Sequence, residues 1–219
     1  MMIDLNLLSY LETYISPERL KRFKDVLSER TNYITVAIED IFQMHNASAV
    51  IRSCDVFGIQ KAHIIEDRFA QRLDKNIAMG AQKWVDTERY TNAKSCISSL
   101  RGDGYKIIAT TPNYDSTLLE DFKLEHKTAL FFGTEKEGLS PEVMEQADDY
   151  LKIPMSGFSE SLNISVSAAI IMYNITLQLK KSNLKWHLTE EEVLEKRLDW
   201  TKKTIKSIDE IIERYRKEN

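Results

Sequence analysis

Three segments of the chain hold polar side chains whose folding role is not self-evident. The first runs Asn46-Ala47-Ser48-Ala49-Val50-Ile51-Arg52-Ser53-Cys54-Asp55, with Gly58 after it. An arginine among Ala, Val and Ile on a packed helix costs desolvation unless something pairs with it. Asp55, three residues on, is one partner, and the pair would then be structural. Asn46 and Arg52 do not share a face of a regular helix; if Asn46 is a cap, Arg52 lies nearly two turns in. The second segment is Gly133-Thr134-Glu135-Lys136-Glu137-Gly138-Leu139-Ser140. Its glycine spacing resembles a phosphate-binding loop, but Leu139 stands where the phosphate-binding lysine belongs, and the three-glycine dinucleotide fingerprint is missing. A nucleoside triphosphate or NAD is therefore disfavoured. A bare strand-to-helix turn would use the same two glycines. The third is Ile153-Pro154-Met155-Ser156-Gly157-Phe158-Ser159-Glu160-Ser161-Leu162-Asn163, a polar loop running into a helix of small and apolar residues. Ser161 or Asn163 could simply cap that helix. An apolar mouth with free backbone groups also suits an adenosyl ligand.

Other chemistries find less support. His45, His63, His126 and His187 show no metal spacing, and Cys54 and Cys96 do not complete one, so no metal is expected. There is no Gly-x-Ser-x-Gly elbow for a serine hydrolase. Trp84 and Trp186 read as packing residues.

The elements that must position these segments alternate. Short β-branched or apolar runs at 34–38, 62–65, 105–110, 128–132 and 151–154 read as strands. Between them, 46–57, 71–79, 93–100, a short turn after Ser140-Pro141, and 163–180 read as helices. Alternation of this kind predicts an α/β fold with a mostly parallel sheet covered on both faces. The second segment then follows a strand and precedes a helix, where such sheets bind ligands. Ahead of the sheet, residues 4–15 and a segment opened by Ser16-Pro17 read as two helices. After it, Thr189-Glu190-Glu191-Glu192 fits a capping box opening one helix over roughly residues 189–217.

The 219 residues carry a net charge of −4, which at first sight argues against a nucleic-acid partner. The charge is unevenly spread. Residues 1–33 hold five basic and five acidic side chains, residues 34–179 hold 14 and 20, and residues 180–219 hold 11 and 9. Phosphate contacts need local positive charge, and the two ends permit it. No apolar run approaches membrane-spanning length, and Met1-Met2-Ile3-Asp4 lacks the basic start of a signal peptide. Two distant cysteines fit a reducing, cytoplasmic setting.

Taken in order, the three segments resemble the signature motifs of the SPOUT-class RNA 2'-O-ribose methyltransferases of the TrmH type, over about residues 34–180. Gly80-Ala81 with Lys83-Trp84 adds to the match. The resemblance implies a parallel α/β domain with a deep C-terminal trefoil knot, a rare exception to ordinary chain connections. It implies a helical extension over 1–33 that contacts tRNA, a methyltransferase domain over 34–180, and a helical extension over 181–219. The implied cofactor is S-adenosyl-L-methionine, bound near Thr110, Gly133, Ile153, Met155 and Leu162. The implied catalytic set is Arg52, Asn46, Glu135, Ser161 and Asn163, with Arg52 contacting or deprotonating the ribose hydroxyl. A guanidinium holds its proton tightly, so stabilisation of a developing alkoxide is the other role open to it. Arg19, Lys21, Arg22 and Lys24, with Lys202, Lys203 and Lys206, would meet RNA phosphates. The implied assembly is a homodimer, with RNA and not DNA as partner and no membrane. Short flanks resemble the tRNA branch, which methylates guanosine 18 of the D-loop. Ribosomal RNA, or a non-catalytic dimeric RNA-binding module, are the alternatives.

Overall fold

A computed structural model of the chain describes residues 3–40, 44–66, 80–112 and 115–218. In chain order the elements are α1 (Leu5–Glu12), α2 (Pro17–Leu27), β1 (Ile34–Glu39), α3 (Met44–Phe57), β2 (Lys61–Ile65), a 3-10 turn (Ala81–Lys83), β3 (Asp86–Tyr90), α4 (Ala93–Gly102), β4 (Lys106–Thr110), β5 (Thr117–Leu118), β6 (Thr128–Phe132), α5 (Pro141–Gln146), β7 (Asp149–Lys152), α6 (Ile164–Lys181), α7 (Glu190–Thr204) and α8 (Ile208–Glu218). They fall into two compact units, Thr31–Trp186 and a second that gathers Met1–Arg30 with His187–Asn219. The two flanks, expected from sequence as separate extensions, thus build one body.

The larger unit is a seven-stranded, wholly parallel sheet in the order β3-β2-β1-β6-β4-β7-β5. The β-branched and aromatic runs expected as strands occupy its middle, where both faces are covered and every residue of β1 and β6 is buried. Side chains alternate across it. Val36, Ile38, Leu130 and Phe132 meet α3 and α6 on one face, while Ala37, Ala129 and Phe131 meet α4 and α5 on the other. Each large side chain so buried contributes about 1.5–3 kcal/mol of transfer free energy.

Two strands were not foreseen. β3, Asp-Thr-Glu-Arg-Tyr, lies at the sheet edge with side chains alternately half-buried and exposed, so it lacks the apolar signature. β5 is two residues long. The last strand was expected over 151–154 but spans Asp149–Lys152, because Pro154 has no N–H to donate to a ladder. The helix expected over 71–79 lies outside the described residues. α3 begins at Met44, so Asn46 sits within its first turn and not at its cap.

In the smaller unit Ser16 caps α2, accepting from the Arg19 N–H at 3.2 Å. The capping box is present: the Thr189 hydroxyl accepts from the Glu192 N–H, and the Glu192 carboxylate accepts from the Thr189 N–H at 2.7 Å. Phe23 meets Trp200 edge-on at 5.5 Å, and Arg197 holds the Glu12 carboxylate at 2.6 and 2.9 Å. The single C-terminal helix expected from sequence is two. Ile205 is extended and Ser207 has φ 52°, which separates α7 from α8. The break follows two β-branched residues, and Thr204 turns its hydroxyl back to the Trp200 carbonyl at 2.8 Å.

One buried base makes stability depend on pH. His63 on β2 is 1% exposed, and burial pushes its pKa down to about 4, against the opposing pull of Glu88. The Glu88 carboxylate lies 3.6 Å from Nδ1 and is itself held by Lys61 and Tyr90. Folding therefore favours the neutral ring. The unfolded chain takes up a proton first as pH falls below about 6.5. Stability is fully present above that value and falls by up to about 1.4 kcal/mol per pH unit down to about pH 4. Denaturant midpoints between pH 7.5 and 5 are expected to decline more steeply for wild type than for His63→Leu. Equal slopes would mean that His63 titrates alike in both states.

Candidate functional site

The strand order sets the carboxyl ends of β6, β4 and β7 side by side, and the chain leaves each of them into a loop. Between these loops lies a cavity of about 440 Å³, within the range of small-molecule sites. Its floor is apolar, with Phe132, Leu139, Leu151, Ile164 and Ile171, and its rim is polar.

The loop after β6 is closed by its own backbone. Thr134 N–H donates to the Gly138 carbonyl and Gly138 N–H to the Thr134 carbonyl, both at 3.0 Å. The Thr134 hydroxyl accepts from the Glu137 N–H at 2.9 Å. Gly138 has φ 70°, a conformation side chains rarely adopt. Gly133 is needed for another reason: a Cβ there would run into the Gly138 carbonyl and the Leu139 nitrogen. Ser140 then caps α5 by accepting from the Val143 N–H at 3.3 Å.

At the rim the three sequence segments meet. Glu135 Oε1 accepts from Asn46 Nδ2 at 3.0 Å and from Asn163 Nδ2 at 2.5 Å. Asn163 Nδ2 also donates to Asn46 Oδ1 at 3.3 Å. The same Asn163 caps α6, its Oδ1 accepting from the Ser165 N–H at 2.9 Å. Asn163 is therefore the cap the sequence offered, and the same side chain also meets Glu135. Asn46 is 9% exposed, so these bonds also satisfy a buried amide. Chemically, the cavity offers Glu135, Glu137 and Glu160 against Lys136 and Lys152. That balance suits a ligand with a positive centre.

Thr110, Gly133, Ile153, Met155 and Leu162, expected from sequence as cofactor residues, all line the cavity, as do Glu135 and Ser161. Arg52 does not. It is exposed on α3 and makes no hydrogen bond or ion pair among the described residues, so the pairing with Asp55 that the sequence offered as an alternative is not formed there. It lies roughly 120° around the helix from Asn46. Arg19, Lys21, Arg22 and Lys24 are exposed on α2; Lys202 is half-buried, and exposed Lys203 is ion-paired to Asp199 at 2.7 Å. Among residues not singled out from sequence, Lys152, Glu160, Ser167 and Ile171 line the cavity. The spacing of Ile164, Ser167 and Ile171 on one helix face carried that signal. Among the described residues no His, Cys, Asp and Glu cluster could hold a metal ion.

The SpoU rRNA Methylase family profile matches residues 33–173. A relative from Borreliella burgdorferi named tRNA (guanosine(18)-2'-O)-methyltransferase is 43% identical over 197 residues, which is 90% of this chain and 90% of the relative. The crystal structure of the A. aeolicus TrmH/SpoU tRNA modifying enzyme superposes with a TM-score of 0.76 at 30% identity, covering 86% of this chain and 98% of that one. The SpoU methyltransferase AviRb from Streptomyces viridochromogenes, solved in complex with the cofactor AdoMet, shares the fold at a TM-score of 0.62 and 21% identity, covering 72% of this chain and 65% of that one.

Proposed function

The chain belongs to the SpoU rRNA methylase family, and on that premise we propose that it transfers the methyl group of S-adenosylmethionine to the ribose 2'-hydroxyl of guanosine 18 in the tRNA D-loop. The observation that carries the reading is the bonded meeting of Asn46 and Asn163 on Glu135, which itself lines a ligand-sized cavity. Similarity to a tRNA enzyme along nearly the full length, flanks included, favours tRNA over ribosomal RNA.

The residues present fit S-adenosylmethionine. The Gly133 cradle leaves backbone where a side chain would intrude, and the acidic rim favours a sulfonium. Bound there, the cofactor supplies a methyl group already activated by its positive sulfur. The chain's own residues hold the geometry. Glu135, fixed from both sides, orients Asn46 and Asn163, and Ser161 shapes the entry for the ribose. Gly133→Ala is expected to weaken cofactor binding by about 5- to 150-fold, since overpacking against backbone costs about 1–3 kcal/mol. Calorimetry reads this directly; unchanged affinity would mean that the loop yields to a methyl group.

The reading includes a homodimer. Val166, Ile170, Tyr173 and Leu177 form an exposed apolar stripe along α6, and Val56 is 69% exposed on α3, which packs against α6. A second copy buries such a stripe at a gain. Arg52 lies one turn from Val56, on the same side of α3, so the dimer brings it to the partner's cavity. There its guanidinium steadies the 2'-oxygen as that oxygen gives up its proton to solvent water. The knot belongs to the reading as well, supported by a sheet in which β6 lies between β1 and β4. A cytoplasmic location follows from a tRNA substrate.

The cations of α2 serve the RNA phosphates. Removing charge at Arg19, Lys21, Arg22 and Lys24 together is expected to weaken tRNA binding and to flatten its salt dependence by about one unit per lost phosphate contact. An unchanged slope would remove α2 from the interface. The function itself is tested with two tRNAs that differ only in a ribose or a 2'-deoxyribose at guanosine 18. Methylation of the first alone is expected; equal methylation of both would place the reaction elsewhere.

A further inference from the structure

Glu39 ends the central strand β1 and is fully buried. A carboxylate there is costly unless it is bonded. Its register places it at the methyl-donor loop: Ile38 pairs with Phe132 of β6, so Glu39 stands beside Gly133. Its Oε2 accepts from the Ser140 N–H at 2.7 Å. Ser140 is where the loop ends and α5 begins. The loop is thus held at three places: by its own Thr134 and Gly138 backbone bonds, at its tip through Glu135, and at its exit through Glu39. Gly138 and Leu139, just before that exit, form part of the cavity wall.

We infer that Glu39 is a positioning residue for the cofactor, acting through the Ser140 N–H to hold the Gly133–Leu139 wall in its binding shape. It does not line the cavity. The inference rests on the functional reading above for the identity of the ligand.

The test uses full-length protein with Glu39→Leu and Glu39→Gln, and S-adenosylmethionine as the probe. Calorimetry is expected to show about tenfold or greater weakening for E39L, with KM for the cofactor rising in parallel. kcat at saturating cofactor and KM for tRNA stay within about threefold. E39Q, whose carbonyl oxygen can still accept from Ser140, recovers most of the affinity. A folded E39L with wild-type affinity, or one that loses kcat alone, overturns the inference, because a merely structural carboxylate would lower Tm without moving Kd. If E39L does not fold, Ser140→Pro replaces it. The φ of −64° at Ser140 accommodates proline, and the change deletes the N–H. It is expected to weaken binding similarly, and wild-type affinity would again overturn the role. Amide exchange across residues 133–140 without ligand separates the two claims. A wild type that takes up no S-adenosylmethionine sinks the functional reading. Faster exchange of those amides in E39L still supports positioning by Glu39, and unchanged exchange refutes it.

Discussion

Replacing Arg52 with alanine is expected to cut methyl transfer by about 10²–10³-fold, while S-adenosylmethionine affinity stays within about threefold of wild type. The asymmetry follows from position. Arg52 is exposed on α3 and forms no part of the cavity wall, so its loss leaves the cofactor's surroundings intact. On the proposed role of Arg52, what is lost is positive charge at the 2'-oxygen when that oxygen becomes an alkoxide. Single-turnover rates with enzyme in excess, beside calorimetric cofactor binding, separate these effects. A variant with near-wild-type turnover would sink the assigned role. Mixing adds a sharper test. If Arg52 acts on the partner's cavity, a heterodimer of Arg52→Ala with Asn163→Ala holds one intact site and regains activity. If Arg52 acts within its own chain, both sites of that heterodimer are broken.

Placing a charge in the α6 stripe is expected to be nearly as damaging. Tyr173 is 57% exposed and its ring meets that of Phe57 at a tilt of 55°, with centroids 6.0 Å apart, and Ile170 is 39% exposed on the same face. Tyr173→Asp combined with Ile170→Asp would bury two carboxylates per chain in an apolar interface, and each such burial costs several kcal/mol. Sedimentation is expected to find a monomer at concentrations where wild type is dimeric, with methyl transfer lost alongside. The surface position of both side chains keeps the monomer folded. A dimer of normal affinity would move the interface elsewhere, and an active monomer would remove the need for a partner's arginine.

Much of this was legible in the sequence because the central strands are almost purely apolar and the helices between them carry clear stops. The Ile34, Lys106 and Thr128 strands announce themselves, since burial on both faces makes their middles mostly apolar. β3 did not, because an edge strand of Asp, Thr, Glu, Arg and Tyr obeys solvent as much as the core. The break before α8 was hidden for a different reason: no glycine or proline marks Ile205 to Ser207, and the apolar spacing runs on through it. At the site, Glu135 and Asn163 could be named from their motifs, but not the bonds that join them to Asn46, which link residues 89 and 117 positions apart in the chain. Glu39 carried no motif signal. A glutamate ending an apolar strand reads as a strand leaving the core, and the bond to the Ser140 N–H, 101 positions on, gives it a task. Arg52 was recognisable as a residue in need of a partner, yet its exposure becomes meaningful only beside the apolar stripe of α6.

The most direct measurement is transfer of labelled methyl from S-adenosylmethionine to unmodified whole tRNA and, separately, to ribosomal RNA, with the modified nucleotide mapped. Label confined to the ribose of guanosine 18 in the D-loop is the expected result. Label in ribosomal RNA alone, label on a base, or no label from protein that binds the cofactor would contradict the account.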